Sequence, residues 1–255
     1  MDCQQASKVL VAQLAAFLIQ RIAAPARGST YRRDMLPVCP VPWLDHSLSG
    51  SRPLLNIMTG THRTLILFAH AMPHTSRVNI ALAAAARALP NVTVHDLYET
   101  YPDFYIDVSK EQSMLEAADL VVFQHPIQWY GMPALLKEWV DVVLTAGWAY
   151  GEDATALRGK GFMLAATTGG AADTYQEQGP HRYPFADFLL PFRQTAQFCG
   201  MHWLPPLVLH GAHQATQEQV DAHVDHYVHL LSTYPDWAQE HFGEVVPRLQ
   251  HDYPA

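Results

Sequence analysis

From residue 64 onward, short apolar runs alternate with longer amphipathic segments, and this alternation limits the possible fold more than any other feature of the sequence. The runs short enough for strands are Thr64–Ala69, Val92–Asp96, Leu120–Gln124, Phe162–Thr167 and Trp203–Leu209. The segments with the length and spacing of helices are Ser76–Leu89, Ser109–Ala118, Pro133–Leu144, Phe185–Cys199 and Gln217–Leu231. Continuously apolar runs that alternate with helices are typical of a parallel sheet covered on both faces. The sequence therefore predicts an α/β fold, a three-layer sandwich around a five-stranded parallel sheet.

Local signals support these elements. Ser76 is placed to cap the first helix, Pro133 to occupy the first turn of another, and Gly200 to follow a helix end. Right-handed crossovers and a chain of five strands favour the strand order 2-1-3-4-5. In that order a ligand binds at the carboxyl ends of strands 1, 3 and 4. The three loops that follow those strands are thus predicted to carry the chemistry.

The first 57 residues differ in kind from the rest. They hold six basic and three acidic residues, and they contain Pro25, Pro37, Pro40, Pro42 and Pro53. Prolines at this density remove backbone donors and disfavour packed structure. We expect residues 1–57 to be a poorly ordered N-terminal extension and residues 58–255 to form one domain. The extension is either dispensable, with Met58 as the natural start, or a targeting or docking segment.

Composition excludes several classes of protein. The chain has 24 acidic and 16 basic residues, a formal charge of −8, which disfavours a nucleic-acid partner. Cys3, Cys39 and Cys199 are too scattered for a disulfide framework or a metal knuckle, so a reducing compartment is expected. The spacing of His223, His226 and His229 places them near one helix face, where a solvent or interface stripe is favoured over a metal site.

The loop after the first strand combines hydroxyls and cations at a helix start. It contains His70, Thr75, Ser76, Arg77 and Asn79 and lacks the glycine motifs of dinucleotide and triphosphate loops. Free backbone N–H groups and the helix dipole favour an anion at such a position. The loop therefore predicts a site for one phosphate, with the alternative that Ser76 only caps the helix.

The loop after the third strand presents two large rings on a rigid turn. Pro126, Ile127, Gln128, Trp129 and Tyr130 lie there, followed by glycine and a second proline. Large exposed rings need a partner that covers them. A flat aromatic ligand is one such partner, and packing under a neighbouring loop or across a dimer contact is the alternative.

The loop after the fourth strand is rich in glycine and polar side chains. Gly169 and Gly170 let a ligand approach the backbone, and Tyr175 and His181 can donate to a developing anion. Thr167 and Thr168 open this loop. Together the three loops match the phosphate, the polar chain and the ring of flavin mononucleotide (FMN), with FAD as the less favoured alternative.

At these residues the sequence resembles the flavodoxin-like NAD(P)H:quinone oxidoreductases, the DT-diaphorase family. Within that family it is most similar to the ancillary subunits of glutathione-gated potassium-efflux antiporters. The resemblance spans residues 64 to 236 and does not cover residues 1–57. Its motifs are His70 to Asn79, His95 to Tyr98, Tyr101 to Phe104, His125 to Trp139, Gly147 to Gly151, Thr167 to His181, Cys199-Gly200 and Trp203 to Pro206. One departure is Ala71, where many relatives have proline after the histidine.

The resemblance implies a flavodoxin-like fold and a set of functional residues. It implies a phosphate site at His70, Ser76, Arg77 and Asn79. It implies ring contacts along two loops, at Pro126, Ile127, Gln128, Trp129, Tyr130, Thr167, Thr168, Gly169 and Gly170. It also assigns Tyr175 and His181 to charge stabilisation during hydride transfer.

The implied activity is two-electron, ping-pong reduction of quinones with NADH or NADPH as donor. The implied assembly is a homodimer in the cytoplasm. The alternative function is regulatory, in which the chain binds and activates a potassium-efflux antiporter at the cytoplasmic face of the inner membrane and redox turnover is secondary.

Overall fold

The computed structural model describes residues 62–242. The predicted N-terminal extension, residues 1–57, therefore lies outside the described residues. The strands are β1 Thr64–Phe68, β2 Val92–Asp96, β3 Leu120–Pro126, β4 Gly161–Thr167, β5 His202–Trp203 and β6 Leu207–Leu209. The helices are α1 Arg77–Arg87, α2 Leu97–Thr100, α3 Val108–Ala117, α4 Ala134–Val143, α5 Phe185–Phe188, α6 Leu190–Phe198 and α7 Gln217–Thr233. Short 3-10 turns lie at Pro73–Thr75, Ala172–Thr174 and Asp236–His241.

The sheet is parallel throughout and follows the order β2-β1-β3-β4-β5. This confirms the predicted order 2-1-3-4-5. The sheet has a sixth strand in addition to the five predicted, because the run Trp203–Leu209 forms two strands. β5 pairs with the start of β4 and β6 with its end. Between them Pro205 and Pro206 lack the N–H donors that a continuous strand would need.

Helices cover both faces of the sheet. Side chains of β1 alternate between two cores, so that Leu65 and Leu67 pack on one face and Ile66 on the other. The first core contains Trp139 of α4, and the second contains Tyr227 of α7. Full burial of a large apolar side chain contributes roughly 1.5–3 kcal/mol. Both cores thus stabilise the sheet whose carboxyl edge carries the three predicted loops.

Two helix predictions differ from the structure. The segment Phe185–Cys199 forms two helices that break at Leu189, because Pro191 lacks an N–H and restricts the residue before it. Pro133 lies at the N-cap of α4 and not within its first turn. Ser76 is the N-cap of α1 as predicted, and Gly200 follows α6 with a φ of 73°.

A short helix that was not predicted, α2, begins after β2. The Asp96 side chain accepts hydrogen bonds from the N–H groups of Tyr98 and Glu99 and so caps it. Because Asp96 ends a strand and caps a helix at once, the chain turns there without an intervening loop.

A closed polar cluster lies between α3 and α4. The Glu111 carboxylate is fully buried and accepts hydrogen bonds from His95 Nε2 at 2.8 Å, from Trp139 Nε1 at 2.8 Å and from the Tyr101 hydroxyl. Burial alone raises the pKa of Glu111, but these donors outweigh it, and the pKa lies below its usual value. Burial and the nearby carboxylate raise the pKa of Tyr101. Glu111 is therefore ionised and fully partnered inside the protein.

Among the described residues, no helix is both long and apolar enough to span a membrane.

Candidate functional site

The loop after β1 begins at a buried histidine. His70 Nδ1 accepts the N–H of Met72 at 3.2 Å, so the proton of the neutral ring lies on Nε2. Burial lowers the pKa of His70, the nearby His74 adds to this, and Asp96 partly opposes it. His70 is thus a neutral donor at the base of the loop.

The start of α1 keeps free donors. Ser76 Oγ accepts the N–H of Asn79 at 3.1 Å. The N–H groups of Arg77 and Val78 have no acceptor in the described part of the chain. These donors point along the helix axis toward the loop, which is the arrangement that favours an anion.

Arg77 and Asn79 have other partners as well. The Arg77 guanidinium donates to the carbonyl of Ala215, just before α7. Asn79 is buried, and its Nδ2 donates to Thr167 Oγ1 at 2.9 Å, while its Oδ1 has no partner within residues 62–242. Gln124 Nε2 donates to the Asn79 carbonyl at 2.8 Å. Asn79 therefore joins the first loop to the end of β4, and Arg77 joins it to the start of α7.

The loop after β3 forms a two-residue turn in a strained conformation. Gln128 and Gly131 exchange backbone hydrogen bonds of 3.1 Å across it. The central residues, Trp129 and Tyr130, have φ values of 46° and 65°. Such a turn favours Asn-Gly, because other residues are disfavoured in the left-handed region. Strain of this kind is typical of functional positions.

The rings on this turn extend outward. Trp129 is 95% exposed, and Tyr130 is 46% exposed. Tyr130 stacks on Phe188 with the ring centroids 4.8 Å apart, and its hydroxyl lies 3.3 Å from His181 Nδ1. The turn is tied to the next loop because the Ile127 N–H donates to the Thr167 carbonyl at 2.8 Å. The second and third loops thus form one continuous surface.

Tyr175 and His181 lie face to face in the loop after β4. Their ring centroids are 4.2 Å apart and their planes are nearly parallel, at 8°. The His181 N–H donates to the Thr174 carbonyl at 3.3 Å, which closes the loop on itself. The structure therefore brings together the two residues predicted to be catalytic.

Gly170 lies directly beneath this pair. A Cβ at Gly170 would lie 2.8 Å from His181 Nε2 and 3.2 Å from the Tyr175 hydroxyl oxygen. The polar atoms of both side chains therefore converge on the Gly170 backbone. A side chain at this position would force these side chains to shift.

A residue that the sequence reasoning did not select, His210, also belongs to this site. It follows β6, its Nδ1 lies 3.0 Å from Thr168 Oγ1, and its ring centroid is 5.5 Å from that of Tyr175. The split of Trp203–Leu209 into two strands is what brings His210 beside β4. The Pro205-Pro206 pair was the available signal for that split.

His125, at the end of β3, supports the strained turn from below. It is fully buried and stacks on Phe192 with ring centroids 5.5 Å apart. Burial lowers the pKa of His125 to about 4, so the ring is neutral and donates from Nδ1 to the Pro126 carbonyl at 2.9 Å. This hydrogen bond fixes the backbone immediately before Ile127.

The residues present fit FMN. Asn79 Oδ1 is a buried acceptor without a partner in the described residues, and the free N–H groups at the start of α1 suit a phosphate. The exposed Trp129 ring and the N–H groups of Trp129 and Tyr130, which have no acceptor within residues 62–242, suit the face and edge of a ring system. Within residues 62–242, no group of three or more His, Cys, Asp or Glu residues is arranged to hold a metal ion.

Comparison with known proteins agrees with this description. A family model described as flavodoxin-like fold matches residues 62–231. A structure from Treponema denticola, general stress protein 14 in complex with FMN, is 36% identical, with a TM-score of 0.63, over 70% of this chain and 99% of that one. An NADPH-quinone reductase from P. pentosaceus is 30% identical, with a TM-score of 0.60, over 65% of this chain and 95% of that one.

A further solved structure carries a different name. It is described as a thermophilic tryptophan halogenase from Streptomycin violaceusniger and is 43% identical, with a TM-score of 0.62, over 64% of this chain and 95% of that one. Because these names imply different activities, the names alone do not assign an activity to this chain, and its own site residues must do so. The family itself follows from the match over residues 62–231 together with the relatives named as an FMN complex and as quinone reductases. The chain belongs to the flavodoxin-like fold family, in the group that includes the NAD(P)H:quinone oxidoreductases.

Proposed function

We propose that this chain is an FMN-dependent NAD(P)H:quinone oxidoreductase. The observation that carries the proposal is the convergence of Tyr175 and His181 on Gly170, beside the strained turn at Trp129 and Tyr130. The relatives named as an FMN complex and as an NADPH-quinone reductase support it. FMN, when bound, supplies hydride acceptance from NAD(P)H and hydride donation to a quinone.

The role of the protein is to bind and orient FMN and the substrates. The donors at the start of α1, with His70 and Ser76, would hold the phosphate, and Asn79 anchors that helix start to β4. The exposed Trp129 ring would contact the ring system on one side, and the loop from Thr167 to Gly170 would contact it on another. Tyr175 and His181 would then lie beside the face of the ring that is open to NAD(P)H and the quinone.

Tyr175 and His181 provide donors for negative charge at that face. The Tyr175 hydroxyl and His181 Nε2 approach the same backbone position, and the Tyr130 hydroxyl lies within 3.3 Å of His181 Nδ1. If Tyr130 donates to Nδ1, Nε2 is the ring nitrogen of His181 that carries a proton, and this atom lies beside Gly170. Preorganised donors of this kind stabilise charge that develops during the reaction.

The test is rapid-mixing kinetics on the full chain loaded with FMN. We expect NADH or NADPH to reduce the flavin and a simple quinone to reoxidise it. Tyr175→Phe and His181→Gln should retain FMN and slow flavin reduction by about 10- to 100-fold each. Tyr105→Phe is the matched control, because Tyr105 is 83% exposed and lies between α2 and α3. Unchanged reduction rates in both site variants would contradict the assigned roles.

Other inferences from the resemblance stay predictions. They are the homodimer, the ping-pong order, the choice between NADH and NADPH, and a cytoplasmic location. No observation on residues 62–242 favours the alternative of a regulatory subunit for a potassium-efflux antiporter.

A further inference from the structure

The segment that follows β6 is hydrogen-bonded to the loop that follows β4. The Gly211 N–H donates to the Gly170 carbonyl at 2.8 Å, and the Ala212 N–H donates to the Thr168 carbonyl at 2.9 Å. The Thr168 N–H in turn donates to the Leu209 carbonyl at 3.0 Å. These backbone bonds place His210 against Thr168, two residues before the glycine on which Tyr175 and His181 converge.

The direction of the hydrogen bond between His210 and Thr168 follows from counting protons. Thr168 has a single hydroxyl proton, which is donated to the Gly170 carbonyl at 2.8 Å. Thr168 Oγ1 can therefore only accept from His210 Nδ1, 3.0 Å away. The neutral His210 ring must then carry its proton on Nδ1. Burial lowers the pKa of His210, which favours that neutral ring.

The same imidazole also contacts the aromatic side chains of the site. Its centroid lies 4.7 Å from that of Phe185 in an edge-to-face arrangement and 5.5 Å from that of Tyr175. One side chain thus joins the backbone beneath Gly170 to the rings above it. His210 does not share a hydrogen bond with Tyr175 or His181, so it acts on them through Thr168 and Gly170.

We propose that His210 is a positioning residue of this site. Its Nδ1–H donates to Thr168, commits the Thr168 hydroxyl to the Gly170 carbonyl, and so fixes the backbone to which Tyr175 and His181 are matched. The effect of this arrangement on FMN binding and quinone reduction rests on the proposed function. The tautomer of His210 does not, because it is a property of the protein without flavin.

The first test reads that tautomer directly. Long-range proton–nitrogen correlation spectra of the flavin-free full chain report which ring nitrogen of each histidine carries a proton, and loss of one signal set in His210→Asn assigns His210. We expect the Nδ1–H form in the wild type and a shift away from it in Thr168→Val. An Nε2–H tautomer in the wild type would overturn the proposal.

The second test compares two variants that differ only in where they place an amide. The side-chain nitrogen of asparagine can take the position of Nδ1, whereas that of glutamine reaches toward Nε2. We expect the dissociation constant for FMN, measured by fluorescence titration, to rise about tenfold in His210→Gln and by less than about threefold in His210→Asn. Equal losses in the two variants, or no loss in His210→Gln, would overturn the proposal.

A third pair covers the case in which His210→Gln does not fold. Thr168→Ser retains the hydroxyl and Thr168→Val removes it, so only the valine variant should weaken FMN binding by about tenfold. A wild-type chain that binds no FMN would refute the proposed function and leave the tautomer test valid. A wild-type chain that reduces quinones while His210→Gln matches it in FMN affinity would refute only the role of His210.

Discussion

The cluster around Glu111 and the loops at the carboxyl edge of the sheet both contain a histidine, a tyrosine and a tryptophan, arranged in opposite ways. In the cluster, His95, Tyr101 and Trp139 all donate to one buried carboxylate. At the edge, the Trp129 ring is 95% exposed. The first arrangement satisfies its polar atoms within the chain, and the second leaves groups free for a ligand.

The two regions also differ in how many of their residues have a strained backbone conformation. Asp107 and Asp96 cap the helices near the Glu111 cluster in ordinary conformations. Of the four non-glycine residues at positive φ in the described part of the chain, three belong to the site, namely Trp129, Tyr130 and Arg182, whereas one, Phe104, follows Tyr101 of the cluster. Since such conformations cost stability at non-glycine residues, they indicate that the site is optimised for something other than folding. We therefore expect changes in the cluster to alter stability and changes in the site to alter ligand binding.

The largest expected effect is that of Glu111→Gln on stability. The NH2 group of the new amide would be a donor placed against the donors of His95, Tyr101 and Trp139. The free energy of unfolding should therefore fall by about 3 kcal/mol. Chemical denaturation measures this. Glu116→Gln is the control, because Glu116 is exposed and the glutamine oxygen can still accept from Trp148 Nε1, so stability should change by no more than about 0.5 kcal/mol. If Glu111→Gln weakened FMN binding but not stability, the distinction between the two regions would be wrong.

Gly170→Ala should have the opposite effect and impair the site while leaving stability nearly unchanged. Its Cβ would lie 2.8 Å from His181 Nε2 and 2.9 Å from Thr174 Oγ1, so the side chains of the site must shift. We expect kcat/KM for quinone reduction to fall by about 100-fold with little change in stability. The Cβ of Gly169→Ala would meet only the His213 ring, with Cδ2 at 3.7 Å and Nε2 at 3.9 Å, so this change should cost less. A smaller loss for Gly170→Ala than for Gly169→Ala would contradict this account.

Trp129→Gly should stabilise the protein and impair the site at once. Glycine removes the cost of a φ of 46°, so the free energy of unfolding without flavin should rise by about 1 kcal/mol. Loss of the ring should weaken FMN binding about tenfold, as for other aromatic stacking platforms. Trp129→Phe keeps an aromatic ring and should retain most of the affinity without the gain in stability. A flavin-free Trp129→Gly protein less stable than the wild type would show that the turn is not strained.

The last prediction concerns the pH dependence of stability. The pKa of His125 falls from 6.5 to about 4 on folding, so the unfolded chain binds a proton in this window and the folded chain does not. Stability from the neutral ring is complete above pH 6.5 and is lost as the pH falls toward 4. One such group contributes a slope of at most about 1.4 kcal/mol per pH unit. His125→Asn should flatten the slope in urea denaturation across this window, and an unchanged slope would contradict the assignment.

Particular residues show what could be predicted from the sequence. The buried strands could be predicted because β1 and β4 must be apolar on both faces, and Ser76 because an N-cap depends only on its own helix start. The contact between His210 and Thr168 joins residues 42 apart, and that between Arg77 and Ala215 joins residues 138 apart. Such contacts depend on which strands and helices are neighbours. The loops could thus be chosen from the sequence, but the directions of their side chains could not.

Whether the three loops hold FMN is tested most directly by mixing the flavin-free full chain with FMN, removing free flavin by gel filtration and recording the visible spectrum. We expect a yellow protein with bound flavin stoichiometric with the chain, bleached by NADH or NADPH and restored by a quinone. A colourless protein, with all FMN eluting separately, would contradict the assignment of the site.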